Sequence, residues 1–233
     1  ILDSGGRLYI REVSYLDLAM KDTYIKINKI VGTVQSRIRV SGNGDVEIDS
    51  VGNSVLLIEG HNGDVNIASA IGAMSISTNQ GAINIADAVM EINAITNYGD
   101  INIKFNENAW NYTEGADIKS RFVTAITDNG HINIDGLQRG VITANDKGRI
   151  TLNYNKVVGD NVIKANFGAV NIVIPAAPIN AGSDWAVSLK LNTEVNADVE
   201  AGVVKWHGHG NAEFTNIYNE TSVSTSNVLN VTA

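Results

Sequence analysis

The chain has 233 residues, of which 44% are hydrophobic, 18% are charged and 6% are aromatic, and its formal net charge is −8. This length suits one sizeable domain, and an acidic chain without a basic stripe or a long apolar run favours neither nucleic-acid binding nor direct membrane insertion. The absence of Cys excludes disulfides, thiol nucleophiles and cysteine metal sites in this segment.

Residues 1–40 are the least regular part of the sequence. The sequence favours strands at Leu8–Ile10 and Tyr24–Ile27. For Tyr15–Lys21 it is compatible with either a short helix or an irregular cap. Because a repeat array needs its terminal sheet edges covered, we expect residues 1–40 to form an N-terminal cap. The sequence starts at Ile1 without a Met, so we expect a segment of a longer protein, to which a leader or an anchor could belong.

A short phrase, Gly-x-apolar-x-apolar, recurs through the middle of the chain. Its glycines are residues 44, 63, 81, 99, 130, 148 and 168. The gaps between them are 19, 18, 18, 31, 18 and 20, and a fixed period of this size is typical of a solenoid. The long gap equals one coil plus 13 residues (31 − 18). The sequence therefore predicts coils over residues 41–174, interrupted once by an insertion at about 104–116.

Each phrase alternates apolar and polar residues, which places one set of side chains on one face of a strand. The apolar set is nearly all β-branched and suits a packed strand face. A second strand precedes each glycine, so one coil reads as strand, tight turn, strand and looser turn. We expect the glycines to supply positive φ at the tight turn and the coils to wind in the right-handed sense.

Both prolines follow the last phrase, at Pro175 and Pro178. Proline lacks the backbone donor of a sheet ladder, so the regular stack should end there. Alternating segments at 185–191 and 227–231 predict a C-terminal cap of longer strands over residues 175–233. The fold prediction is an all-β, single-domain parallel β-solenoid over residues 1–233, with coils of about 18–20 residues.

The repeats resemble an adhesin-like domain family of bacterial cell-envelope proteins, a domain of unknown function built as a β-solenoid. The resemblance covers roughly residues 40–205. It is carried by the phrases at Gly63, Gly81, Gly99, Gly130 and Gly148 and by the ending 168–176. It implies an exported, non-enzymatic protein of the envelope or cell surface that binds an unknown protein or glycan, or acts as a scaffold, without a cofactor.

Two other functions stay open, a polysaccharide-active β-helix enzyme and an envelope-stress sensing module. Glycoside hydrolysis requires two carboxylates at a set distance. The outward positions of the repeats are mostly Asn, Ser and Thr, and no acid pair repeats on neighbouring coils. The sequence therefore favours a protein without enzymatic activity and predicts no catalytic residue.

Two columns of polar residues follow the phrase glycines. Five Asn residues stand three positions after a glycine, at 66, 84, 102, 133 and 171; they predict either an outward amide ladder along the stack or a polar surface for sugar or ice. An Asp directly follows the glycine at positions 45, 64 and 100. These residues are either turn residues exposed to solvent or calcium ligands. The Gly-rich nonapeptide of calcium-binding rolls is missing.

The insertion and the C-terminal region contain the remaining candidates. Trp110 and Tyr112 are the predicted binding residues, because exposed aromatic side chains make carbohydrate and protein contacts. The alternative is that Trp110 covers the side of the stack. His207 and His209 share a strand face but lack a third ligand other than Glu213, so no metal site is predicted.

Overall fold

The structure is a computed structural model that describes residues 5–60, 62–106, 122–175, 187–201, 204–214 and 227–232. In these residues the secondary structure consists of strands joined by turns. The first seventeen strands alternate between two parallel ladders, in which each strand pairs with its equivalents in the neighbouring coils. This pairing defines a parallel β-solenoid, as the repeats predict. Handedness stays a prediction.

The front ladder contains the seven strands that follow the phrase glycines and, before them, the first and third strands of the chain. Its members are β1 (Arg7–Val13), β3 (Tyr24–Ile30), β5 (Val46–Val51), β7 (Val65–Ile67), β9 (Ile83–Ala88), β11 (Ile101–Phe105), β13 (Ile132–Leu137), β15 (Ile150–Tyr154) and β17 (Val170–Ile174). Equivalent residues of neighbouring phrases pair in register, as in Asn66 with Asn84. Side chains at equivalent positions therefore form straight columns along the stack.

The back ladder contains the seven strands that precede the phrase glycines, with the second and the last of the described strands at its two ends. Its members are β2 (Asp17–Lys21), β4 (Ser36–Ser41), β6 (Leu56–Gly60), β8 (Met74–Ser77), β10 (Ile92–Thr96), β12 (Phe122–Thr127), β14 (Arg139–Ala144), β16 (Asp160–Ala165) and β20 (Asn227–Thr232). One back strand and the next front strand form a coil. The described residues give eight coils, numbered here from coil 1 (β2 and β3) to coil 8 (β16 and β17).

The core is one stack of aliphatic side chains between the two ladders. The apolar residues of all seven phrases are at most 3% exposed, which confirms their predicted inward direction. Smaller residues such as Ala94, Ala125 and Ala144 face them from the back ladder. Burial of one Ile or Val side chain contributes about 1.5–3 kcal/mol, so the repeated phrase is the main source of stability.

The phrase glycines have a different role from the one expected. None of the seven has a positive φ, so the expectation of left-handed turns is wrong. Instead, a Cβ at Gly81 would lie 1.7 Å from the carbonyl oxygen of Gly63, one coil earlier, and the same contact recurs along the column. Glycine is required because successive coils approach too closely at this corner for any side chain.

A buried hydroxyl secures the same corner. The Thr96 hydroxyl donates to the carbonyl oxygen of Gly81 at 3.1 Å and accepts from the backbone N–H of Gly99 at the same distance. Thr127 repeats the arrangement with Gly99 and Gly130. These bonds satisfy backbone groups that would otherwise be buried without partners.

The ladders extend below residue 41. Within residues 1–40, expected to form an N-terminal cap, strands β1 to β3 and most of β4 belong to the two ladders, and Asp17–Lys21 forms β2 rather than a helix. At the other end, β18 (Val187–Ala201) pairs with β17 through its second half and with β20 through its first half. Strand β19 (Val204–Phe214) then pairs antiparallel with β18. In the described residues, no helix is long and apolar enough to cross a membrane.

Candidate functional site

The outer face of the front ladder contains an open groove with a volume of about 530 Å³. Two columns of outward residues form it: one lies three positions after the phrase glycine and the other five positions after it. The lining residues are Lys26, Glu47, Ile48, Asp49, Asn66, Ile67, Ala68, Asn84, Ile85, Ala86, Asn102, Ile103, Lys104, Asn133, Ile134, Asp135, Thr151 and Asn153. The groove therefore spans coils 1 to 7 and lies in the size range of ligand sites in proteins.

The first column is the asparagine ladder predicted from the sequence. The side-chain amide of Asn84 donates to Asn66 at 2.8 Å, that of Asn102 donates to Asn84, and that of Asn133 donates to Asn102, all at the same distance. Thr151 separates Asn171 from this run. The ladder uses one N–H and one oxygen lone pair of each inner amide, so a second N–H and lone pair lie outside it.

The second column has small residues in the centre and charges at both ends. Ala68 and Ala86 are exposed and lie on coils 3 and 4. Asp49 precedes them on coil 2, and Lys104 and Asp135 follow on coils 5 and 6. Because the alanine side chains are short, they project less than the flanking charged side chains, and this difference creates the groove.

An ion-pair cluster closes the groove at coils 1 and 2. The Lys26 ammonium lies 2.5 Å from Asp49 and 3.4 Å from Glu47. The hydrogen bond to Asp49 raises the pKa of Lys26, burial opposes this shift, and the hydrogen bond to Glu47 adds to it. Lys26 is therefore charged at neutral pH. At the far end, Lys104 and Asp135 lie 3.9 Å apart.

The column that follows the glycines is structural. The Asp45 carboxylate accepts from the backbone N–H of Asp64 at 2.9 Å, and the Asp64 carboxylate accepts from that of Ala82 at 2.8 Å. On later coils, His131 occupies this position and its Nδ1 accepts from the backbone N–H of Arg149 at 2.9 Å. Each side chain thus joins its coil to the next one. In the described ranges, no three His, Asp or Glu side chains are grouped to hold a metal.

A second, smaller depression of about 400 Å³ lies beside β18 and β19 and is lined by Asn171, Val173, Asp198, Val199, Glu200, Trp206 and His207. Nδ1 of His207 contacts the Asp198 carboxylate, and both side chains are exposed. The side chain of His209, which shares a predicted strand face with His207, lies outside the described residues.

The predicted binding residues Trp110 and Tyr112 also lie outside the described residues. The described chain stops at Asn106, two residues after Lys104 of the groove, and resumes at Phe122. Sequence reasoning missed the groove itself, although it identified the asparagine column. Alignment of the seven phrases could have predicted the groove. The position five residues after the glycine then forms one column, which contains Asp49, Ala68, Ala86, Lys104 and Asp135.

The fold and the groove define a class of protein: a parallel β-solenoid with two ladders and one polar, grooved outer face. Comparison of the chain with protein-family models, curated proteins and solved structures finds no match.

Proposed function

We propose that the chain is a non-enzymatic binding or scaffold protein of the bacterial cell envelope, exported and similar in role to adhesins. We assign partner binding to the groove on the front ladder. The observation that carries this assignment is the combination of a rigid amide ladder, a low alanine centre and a charged cluster at each end of one face. The ladder holds its donors and acceptors in fixed positions, so binding needs little ordering of side chains.

A paired substitution on one coil tests the proposal. Ala86 and Ser77 both lie on coil 4 and are exposed, but Ala86 faces outward from the front ladder and Ser77 from the back ladder. Ala86→Arg should fill the groove and reduce attachment at least tenfold, whereas Ser77→Arg should leave attachment unchanged. Neither residue contributes to the core, so both variants should fold like the parent chain.

The measurement uses fluorescent purified chain with the cells that produce it and with beads of peptidoglycan and cellulose. Attachment that is lost in Ala86→Arg and retained in Ser77→Arg supports the proposal. Equal attachment of both variants on every surface would reject the front groove as the contact surface. Circular dichroism and urea midpoints of the two variants provide the folding control.

One observation favours the alternative of a polysaccharide-active enzyme. Glu47 and Asp49 face outward two residues apart on β5, a spacing of roughly 7 Å along a strand and near that of glycosidase acid pairs. However, Lys26 lies against both carboxylates, which is typical of a structural ion-pair cluster. We expect no release of reducing ends from polysaccharides. Release that disappears in Glu47→Gln would establish the enzyme instead.

A further inference from the structure

We propose that the partner of the front groove is the front groove of a second copy of this chain, with the two solenoid axes antiparallel. The inference rests on the proposed binding role of that face and names its partner. A partner that matches the groove must repeat at the spacing of the asparagine rungs, about 4.8 Å. An extended peptide along the stack repeats its side chains at roughly 7 Å and loses register within a few rungs. Another parallel β-stack keeps the register.

The second column of the groove, called here the alanine column, has charges that become complementary when a second copy of the column is inverted against it. A two-fold axis along the strand direction, between coils 3 and 4, places coil 2 opposite coil 5 and coil 3 opposite coil 4. Asp49 then faces Lys104 of the second copy, and Lys104 faces Asp49. Ala68 faces Ala86 in the centre, where small side chains allow close approach of the two faces. An isologous contact of this kind uses each pair twice.

The other charges of the groove agree with this arrangement. Coil 6, with Asp135, lies opposite coil 1, with Lys26. Lys26 pairs with Glu47 and so belongs to the asparagine column, whereas Asp135 belongs to the alanine column. These opposite charges of the two copies therefore lie on facing coils, in neighbouring columns. Glu47 faces Asn102, so no like charges meet directly.

Neighbouring arrangements are disfavoured by the same charges. A one-coil slide of the antiparallel pair can place Asp49 opposite Asp135, and like charges directly opposite are destabilising. A parallel pair related by an axis along the stack brings the two columns of one coil together and places Glu47 opposite Asp49. The inverted register centred between coils 3 and 4 avoids both repulsions.

The available area allows a reversible dimer. Strands β1 to β15 of the front ladder overlap in this register, giving eight strands and about 650 Å² on each copy. Standard interfaces bury about 800 Å² on each partner. We therefore expect a dimer that dissociates on dilution and weakens in high salt, because its specific contacts are between exposed charges.

A charge-swap experiment tests the pairing by sedimentation equilibrium of the full chain at several concentrations. Asp49→Lys and Lys104→Asp should each weaken dimerisation at least tenfold, because each places like charges in opposition. The double variant should restore dimerisation to within about threefold of the parent. Arg39→Asp, which removes an exposed ion pair with Asp17 on the back ladder, is the matched control and should have no effect.

Zero-length carbodiimide cross-linking identifies the contact directly. Asp49 and Lys104 are three coils apart, about 14 Å within one chain, so an amide bond between them forms only across two copies. Dimeric product joined at 49 and 104 supports the proposal. A monomer at every concentration, single variants that dimerise like the parent, or cross-links between two copies only at other residues would overturn it. If the chain is monomeric but Ala86→Arg still abolishes attachment, the second copy is rejected while the proposed function of the groove stands.

Discussion

At the scale of single residues, the most restrictive position in the repeat is the glycine. The sequence correctly indicated that the glycines lie at a corner of each coil, but the expected reason, a positive φ, was wrong. The actual reason is close contact between neighbouring coils, which the repeat of a single coil does not reveal. A Cβ at Gly81 would meet the carbonyl oxygen of Gly63 at 1.7 Å, and this oxygen belongs to backbone that the ladders hold in place. The position therefore tolerates no side chain.

Gly81→Ala should destabilise the chain by about 3 kcal/mol or more, at or above the upper end of typical overpacking costs. Gly60→Ala is the matched control, because a Cβ there meets its nearest atom, the Thr78 methyl carbon, at 3.7 Å. The urea midpoint should fall sharply in the first variant and change little in the second. Equal midpoints would show that the coils can separate at the glycine corner.

Tyr154 gives the fold a dependence on alkaline pH. Burial raises the pKa of Tyr154 well above its usual value, which is about 10. The folded chain therefore keeps the phenol protonated while the unfolded chain ionises it. The resulting stability is fully present below about pH 10 and is lost as the pH rises above that value.

Tyr154→Phe should therefore flatten the decline in unfolding free energy above about pH 10. At neutral pH the change should cost little, since the hydroxyl makes one 3.3 Å contact with Asn161, whose oxygen also accepts from the backbone N–H of Gly140. Tyr98→Phe, at an exposed ring, is the control. Denaturant titrations at several pH values measure both slopes; parallel slopes for Tyr154→Phe and the parent would contradict the account.

At the scale of elements, the sequence predicted most of the front ladder. Each of the seven phrases contains the alternation of a strand and the glycine of the corner. The sequence could therefore predict both where each strand lies in the chain and which of its side chains face inward. The strand at Tyr24–Ile27 was predicted but assigned to the cap, because Thr23 replaces glycine at the corner of the first coil. The Gly44 Cβ position lies 2.4 Å from the Thr23 carbonyl oxygen. Without its glycine, β3 lacks the marker that identifies the later coils.

The insertion between β11 and β12 is expected to be dispensable for the fold. Both of its ends are fixed in the ladders: the Asn106 N–H donates to the Ala88 carbonyl oxygen, and Phe122 pairs with Arg139. Closing a shorter loop changes the entropy only logarithmically with length. Replacement of residues 107–121 by a tight Gly-containing turn should leave the thermal midpoint nearly unchanged.

The same trimmed variant separates two roles of Trp110. If Trp110 and Tyr112 contribute to binding, attachment should weaken while the thermal midpoint is retained. Unfolding of the trimmed chain would instead make Trp110 a structural cover and remove the support for its binding role. Differential scanning calorimetry and the bead assay provide the two readouts on one preparation.

At the scale of the whole molecule, the proposed contact surface arises from register rather than from any single motif. Asp49 and Lys104 are 55 residues apart in sequence (104 − 49) and share a column only because the phrases of the intervening coils pair in register. The 13 extra residues between the phrases at Gly99 and Gly130 (31 − 18) break the regular period. Counting in steps of 18 residues therefore does not place Asp135 in the same column as Lys104. The sequence therefore predicted the asparagine column but not the charged ends of the groove.

Carboxyl footprinting of the attached protein tests the central claim, that the front face is the contact surface. Asp49 and Asp135 line the groove, whereas Asp17 and Glu59 are on the back ladder. Attachment to the cells that produce the chain, or dimerisation at high concentration, should reduce carbodiimide labelling of Asp49 and Asp135 severalfold and leave Asp17 and Glu59 unchanged. Protection of the back-ladder carboxylates, with Asp49 and Asp135 labelled as in the free monomer, would contradict the account.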